Sequence, residues 1–125
     1  EKERQEGQLT AEQSYRLPTD VEWSRAVGLA SETGATPKAR DRGVKGVFPW
    51  GTQWPPPFGA GNYAASLDTD PIENTSAVGS FSPNDFGIFD LGGNVCEWCE
   101  DYYGGSSGAR VLRGASFGNL LHIQG

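Results

Sequence analysis

A single small domain of short helices and strands joined by long ordered loops is what this sequence predicts, on three observations. The chain has 125 residues, enough for one core that buries roughly two thirds of the unfolded surface. Its 18 Gly and 8 Pro are nearly twice the average usage of about 12%, with no collagen period, so turns dominate. Four Trp, four Tyr and six Phe supply large apolar surfaces for that core. No segment approaches the ~18 apolar residues of a membrane span. The first eight residues are polar and charged, where a secretory leader would be apolar. The compartment is left open.

The elements follow in order. Glu1 to Leu9 is a charged, helix-favouring stretch without a cap of its own. Pro18, Thr19 and Glu22 have the spacing of a capping box, so a helix starts at Thr19. Trp23, Ala26 and Val27 form its i, i+3, i+4 face, and Gly28 is placed to stop it. Ser31 to Gly46 is polar and of mixed charge, which predicts a surface loop without chemistry. Phe48-Pro49-Trp50-Gly51 and Trp54-Pro55-Pro56-Pro57-Phe58 are rigid turns whose bulky aromatics are expected to pack internally rather than serve as a proline-rich docking ligand. Asn62 to Asn74 is a second loop, carrying three acids. Beyond the Leu91-Gly92-Gly93-Asn94 turn, Val95 to Tyr103 alternates as a strand, and a Gly/Ser turn at 104–108 returns the chain into Arg110 to Arg113 as a hairpin.

Charge is distributed unevenly. Residues 1–45 balance eight acids with eight bases, whereas residues 46–109 carry eight acids and no Lys, Arg or His. A stretch of that kind needs its carboxylates solvated, hydrogen-bonded or neutralised by a cation. Calcium is the obvious cation, and acids pointing into water are the alternative. Nucleic-acid binding is disfavoured, since counterion release needs a basic patch.

The ordered motifs Tyr15-Arg16-Leu17-Pro18-Thr19-x-x-Glu22-Trp23, Phe48-Pro49-Trp50-Gly51, Asn62-Tyr63-Ala64, the run from Val78 to Trp98, and Arg110-Val111-Leu112-Arg113-Gly114-Ala115-Ser116-Phe117 resemble the formylglycine-generating enzyme (sulfatase-modifying factor) family. The resemblance implies an α+β domain of the C-type lectin-like fold in that family's variant, with low regular secondary structure. The family domain is longer on both sides, so residues 1–125 are expected to be one partial domain, prone to self-association or domain swapping through exposed edges.

The resemblance also implies metal sites. One calcium ion maps onto Asp90, Gly93, Val95 and Glu97, a segment whose carboxylates and turn carbonyls suit a hard cation seeking six to eight oxygens. A second maps onto Asn62, Tyr63, Asp70 and Ile72, where Asp70-Pro71-Ile72 departs from the usual Asp-Gly-Tyr. The family's copper-binding cysteines, aligned on Gly114 to Phe117, fall on Asn119 and Gln124. Amides do not replace thiolates on soft Cu(I), so neither copper nor oxidase activity is expected. Cys96 and Cys99 are spaced as in redox and zinc motifs, but on a strand i and i+3 point to opposite faces. His122 offers zinc only one further nitrogen. Both cysteines are therefore read as buried thiols, and Glu100 with Asp101 as no catalytic dyad.

The function expected is a non-catalytic, calcium-stabilised lectin-like scaffold for a protein or glycan ligand, with Phe117, Asn119 and His122 on the binding surface. It is either a diversified ligand-binding protein or an accessory domain of a larger polypeptide, such as one carrying a kinase. The alternative from the enzyme class is a fragment of a copper-dependent oxidase that converts a cysteine to formylglycine.

Overall fold

In the computed structural model, residues 2–41, 46–63 and 74–118 are described. Five short elements occur among them: α1 (Lys2–Gln5), α2 (Asp20–Val27), α3 (Pro37–Arg40), β1 (Glu97–Tyr102) and β2 (Arg110–Arg113). The fold is mixed, with few helices and one small antiparallel sheet. Everything else described is turn and loop, as the glycine and proline content predicts.

Helix α2 begins and ends as its sequence dictates. The Thr19 side chain accepts from the Glu22 amide, the Glu22 carboxylate accepts from the Thr19 amide, and Gly28 closes the helix at φ 112°. That left-handed angle favours glycine because a Cβ would crowd the neighbouring carbonyl. The buried side of α2 is nevertheless Asp20, Ser24 and Val27, with Trp23 half-buried beside them. A polar face is therefore what packs inward.

It packs onto charge. Arg40 donates to Asp20 Oδ2 from Nε at 3.0 Å and from Nη2 at 2.8 Å, and Arg113 Nε lies 3.2 Å from Asp20 Oδ1. The Asp20 amide donates to Asp101 Oδ2 at 2.6 Å. Asp20 thus joins α2 to α3 and β2 through its carboxylate and to β1 through its amide. This corrects the expectation of a plain surface loop over Ser31 to Gly46: Thr36 caps α3, Pro37 occupies its first turn, and Arg40 is only 8% exposed. The segment reads as a loop because a single turn has no periodicity and Arg40 finds its partner 20 residues away.

Strand β1 pairs with β2 antiparallel in the register Glu97 to Arg113, Trp98 to Leu112 and Tyr102 to Arg110, with an irregularity between Trp98 and Tyr102. On its inner side lie Cys99 and Val111, both buried. The cross-strand neighbours Trp98 and Leu112 are exposed, so the outer face stays open. The aromatic turns pack on one another through Phe48, Trp50 and Trp54, but Phe58, expected inside, is 79% exposed because no ring of the cluster reaches it. Phe48 stacks on Trp50 at 5.1 Å, Trp54 tilts against both, and Tyr63 meets Trp50 edge-on at 5.3 Å.

The chain from 90 to 94 is folded tightly against Asn62. Asp90 (φ 56°) and Asn94 (φ 62°) are left-handed, a region their short polar side chains tolerate. The Asn94 amide donates to the Asn62 carbonyl at 2.7 Å. A Cβ on Gly93 would lie 2.6 Å from that same carbonyl oxygen, so only glycine permits this approach.

Candidate functional site

Glu97 stands where the 90–94 turn enters β1. Its Oε2 is buried and has no hydrogen-bond partner. Burial pushes its carboxyl up to about 7, and the negative charge of Asp90 adds to the rise; its own backbone amide and the Trp23 indole oppose it. Trp23 Nε1 is itself buried and closes no regular hydrogen bond. Asp90 is partly engaged, its Oδ2 accepting from the Gly79 amide at 2.7 Å. The Leu91 carbonyl and Glu97 Oε2 both border Gly114: a Cβ there would lie 3.1 Å from the carbonyl and nearer still to the carboxylate.

The expected first quartet is thus brought partly together. Glu97 feels the charge of Asp90, Gly93 rests on Asn62, and the Val95 side chain is exposed. Of the second quartet, Asn62 and Tyr63 are fully enclosed, Tyr63 at 1% exposure. Asn62 donates from Nδ2 to the Asn74 carbonyl at 2.7 Å, leaving Oδ1 buried without a partner. The Tyr63 hydroxyl also lacks one, and burial together with Glu97 raises its pKa. Asp70 and Ile72 lie outside the described residues. Gly93 of the first quartet packs on Asn62 of the second.

Among the described residues no three His, Cys, Asp or Glu side chains gather into a metal cluster. What gathers is a carboxylate, a second negative charge and a turn carbonyl, all oxygen and without a basic neighbour in residues 46–109. The chemistry of that donor set fits a hard cation, not a soft one.

The remaining expected residues are placed as follows. Cys99 is buried with its thiol pushed up to about 11, chiefly by burial. Cys96 is half-buried and also shifted upward by burial. Neither is in a disulfide, and thiols of raised pKa are poor nucleophiles. Phe117 is half-buried, its amide donating to the Asn94 carbonyl at 3.0 Å, so the segment starting there is tied to the 90–94 turn. Asn119, His122 and Gln124 lie outside the described residues. Sequence reasoning missed Trp23 as a neighbour of Glu97, since nothing local links a helix residue to a strand 74 positions later.

With this geometry in view, comparison with known proteins gives the family. A family model described as the Sulfatase-modifying factor enzyme 1-like domain matches residues 3–123, and the chain belongs to that family. It is 38% identical over 113 residues to the Inactive C-alpha-formylglycine-generating enzyme 2 of Bos taurus, covering 82% of this chain and 32% of that protein. It is 32% identical over 98 residues to the Formylglycine-generating enzyme of Thermomonospora curvata, covering 70% of this chain and 27% of the relative. It is 35% identical over 89 residues to the Serine/threonine-protein kinase pkn1 of Chlamydia caviae, covering 71% and 11%. The chain spans about a third of the length of the first two.

Proposed function

We propose that this chain is a non-catalytic, calcium-stabilised scaffold of the C-type lectin-like kind, whose task is to present a surface to a protein or glycan ligand. The observation that carries the reading is the half-buried Glu97 carboxylate, unpartnered at Oε2 beside Asp90 in a segment without bases. A buried charge is retained only where something neutralises it. Glu97 and Asp90 would supply carboxylate oxygens, and the backbone at Gly93 and Val95 carbonyls. Asn62 and Tyr63, with Asp70 and Ile72, would form the second site. Bound calcium supplies positive charge at the junction of the 90–94 turn and β1. The chain's own part is to hold that turn closed through the Asn94 to Asn62 bond.

The catalytic side of the family is not supported by these residues. The copper positions fall on Asn119 and Gln124, and one relative matched over most of this chain carries "inactive" in its name. Phe117, Asn119 and His122 would form the ligand surface. A second reading is favoured by relatives named as active enzymes: the chain is part of a longer copper-dependent oxidase whose thiolates lie outside these 125 residues. Two cysteines encoded beyond Gly125 would favour it.

Calorimetric titration of chelator-stripped protein with calcium tests the first reading. One or two saturable sites are expected, abolished by Asp90→Ala together with Glu97→Ala. Heats no larger than dilution would overturn it.

A further inference from the structure

The Phe48-Pro49-Trp50 turn also lines a cleft of about 430 Å³, within the size range of small-ligand sites. Its walls carry the rings of Phe48, Trp50, Phe58 and Phe86 together with three prolines, and its charged member is Asp85. No Lys, Arg or His lines it among the described residues. Phe58 and Phe86 are 79% and 64% exposed, an unusual cost for two phenylalanines on facing loops. The lip that holds Asp85 and Phe86 is rigid. Asn84 donates from Nδ2 to the Ala26 carbonyl at the end of α2 at 2.6 Å, and its Oδ1 accepts from the amides of Phe86 and Ile88 at 3.0 and 3.1 Å. Loop collapse onto the cleft is therefore opposed by bonds already made.

The geometry points to this cleft as a binding site for a quaternary or methylated ammonium group. Aromatic faces carry negative potential and attract cations. Asp85 adds a full negative charge with no ion pair among the described residues to neutralise it. Beyond the Asp85 carboxylate and the Ser82 hydroxyl, the lining side chains that are not already engaged are rings, prolines and small apolar groups, so the several N–H groups of a bare ammonium or guanidinium would be only partly compensated for lost water. An alkylated ammonium has few or no N–H groups to satisfy. A sugar fits less well: it needs several fixed polar partners, and with the Asn84 side chain spent on the loop itself the lining side chains left for its hydroxyls are Ser82 and Asp85.

The cleft contains none of Asp90, Gly93, Val95 or Glu97, so its test is independent of calcium binding. The probes are choline and its uncharged isostere 3,3-dimethylbutan-1-ol, titrated into the full chain and followed by tryptophan fluorescence and NMR. Choline is expected to saturate and to bind about fivefold or more tightly than the isostere. Phe86→Ala and Asp85→Asn, both at exposed positions, are each expected to weaken choline about three- to tenfold while calcium binding is unchanged. A trimethyllysine peptide that competes with choline at higher affinity would place the ammonium on a protein partner; competition by choline alone would make it a free metabolite. Equal binding of choline and the isostere, indifference to both substitutions, or saturation by oligosaccharides that choline does not displace would overturn the proposal.

Discussion

Two glutamates open elements of this molecule under contrasting conditions. Glu22, in the first turn of α2, is exposed and fully partnered: Arg16 donates to it from Nη1 at 2.8 Å and Nη2 at 2.7 Å, and the Thr19 amide and hydroxyl donate at 2.8 and 3.0 Å. Its carboxyl is held down at about 2, first by the Arg16 bonds and then by those from Thr19. Glu97, at the start of β1, is half-buried and raised to about 7, first by burial. The same side chain is thus stabilised as an anion in one region and left uncompensated in the other. Completed charge belongs to the scaffold, and the charge left over lies in the region proposed above to take calcium.

The largest expected effect comes from making the completed region resemble the incomplete one. Asp20→Ala leaves Arg40 buried without its carboxylate, a change that costs about 3–5 kcal/mol. Urea denaturation should show it, and a loss below about 1 kcal/mol would mean that the junction of α2, α3 and the hairpin is held by packing instead.

The converse substitution, Glu97→Gln, removes the unmatched charge. Discounted for partial exposure, the calcium-free protein should gain on the order of 1 kcal/mol at pH 8 while losing the first calcium site. A gain without loss of calcium would separate Glu97 from the metal.

The pH dependences of the two glutamates oppose each other. Glu97 holds its proton to about 7 when folded, against an ordinary 4.5, so between those values the folded state binds more protons than the unfolded one. Calcium-free stability should therefore fall as pH rises across that window, and calcium should flatten the fall. Glu22 is shifted down to about 2, so its contribution is present above 4.5 and lost as pH falls toward 2. Thermal melts from pH 2 to 8, with and without chelator, resolve both limbs.

The smallest effect is expected at the cap. Thr19→Ala removes one acceptor from the α2 amides and should cost about 1 kcal/mol, without altering calcium titration.

The legible parts of this fold were those whose partners are close in sequence. Thr19, Glu22 and Gly28 bracket α2 as their spacing predicts, the aromatic-proline turns pack on one another, and Arg110 to Arg113 returns as β2. The site was legible in part. Asp90 and Glu97 were named from the family resemblance, and Glu97 does feel the charge of Asp90, but that Glu97 Oε2 lacks a partner follows from how Gly114, Leu91 and Trp23 close around it. Arg40 gave no sign of burial, since a single helical turn has no periodicity to mark an inner face and its carboxylate belongs to another helix.

By itself, then, the sequence determined turns, caps, the hairpin, the family and the acid-only character of residues 46–109. Those depend on dihedral preferences and hydrogen bonds spanning a few residues, or on composition alone. Only the tertiary structure decided which charges were compensated. Desolvation sums over every group packed around a carboxylate, and in this chain those groups arrive from α2, the 90–94 turn and β2 together, so Glu22 and Glu97 part company only once the chain is folded.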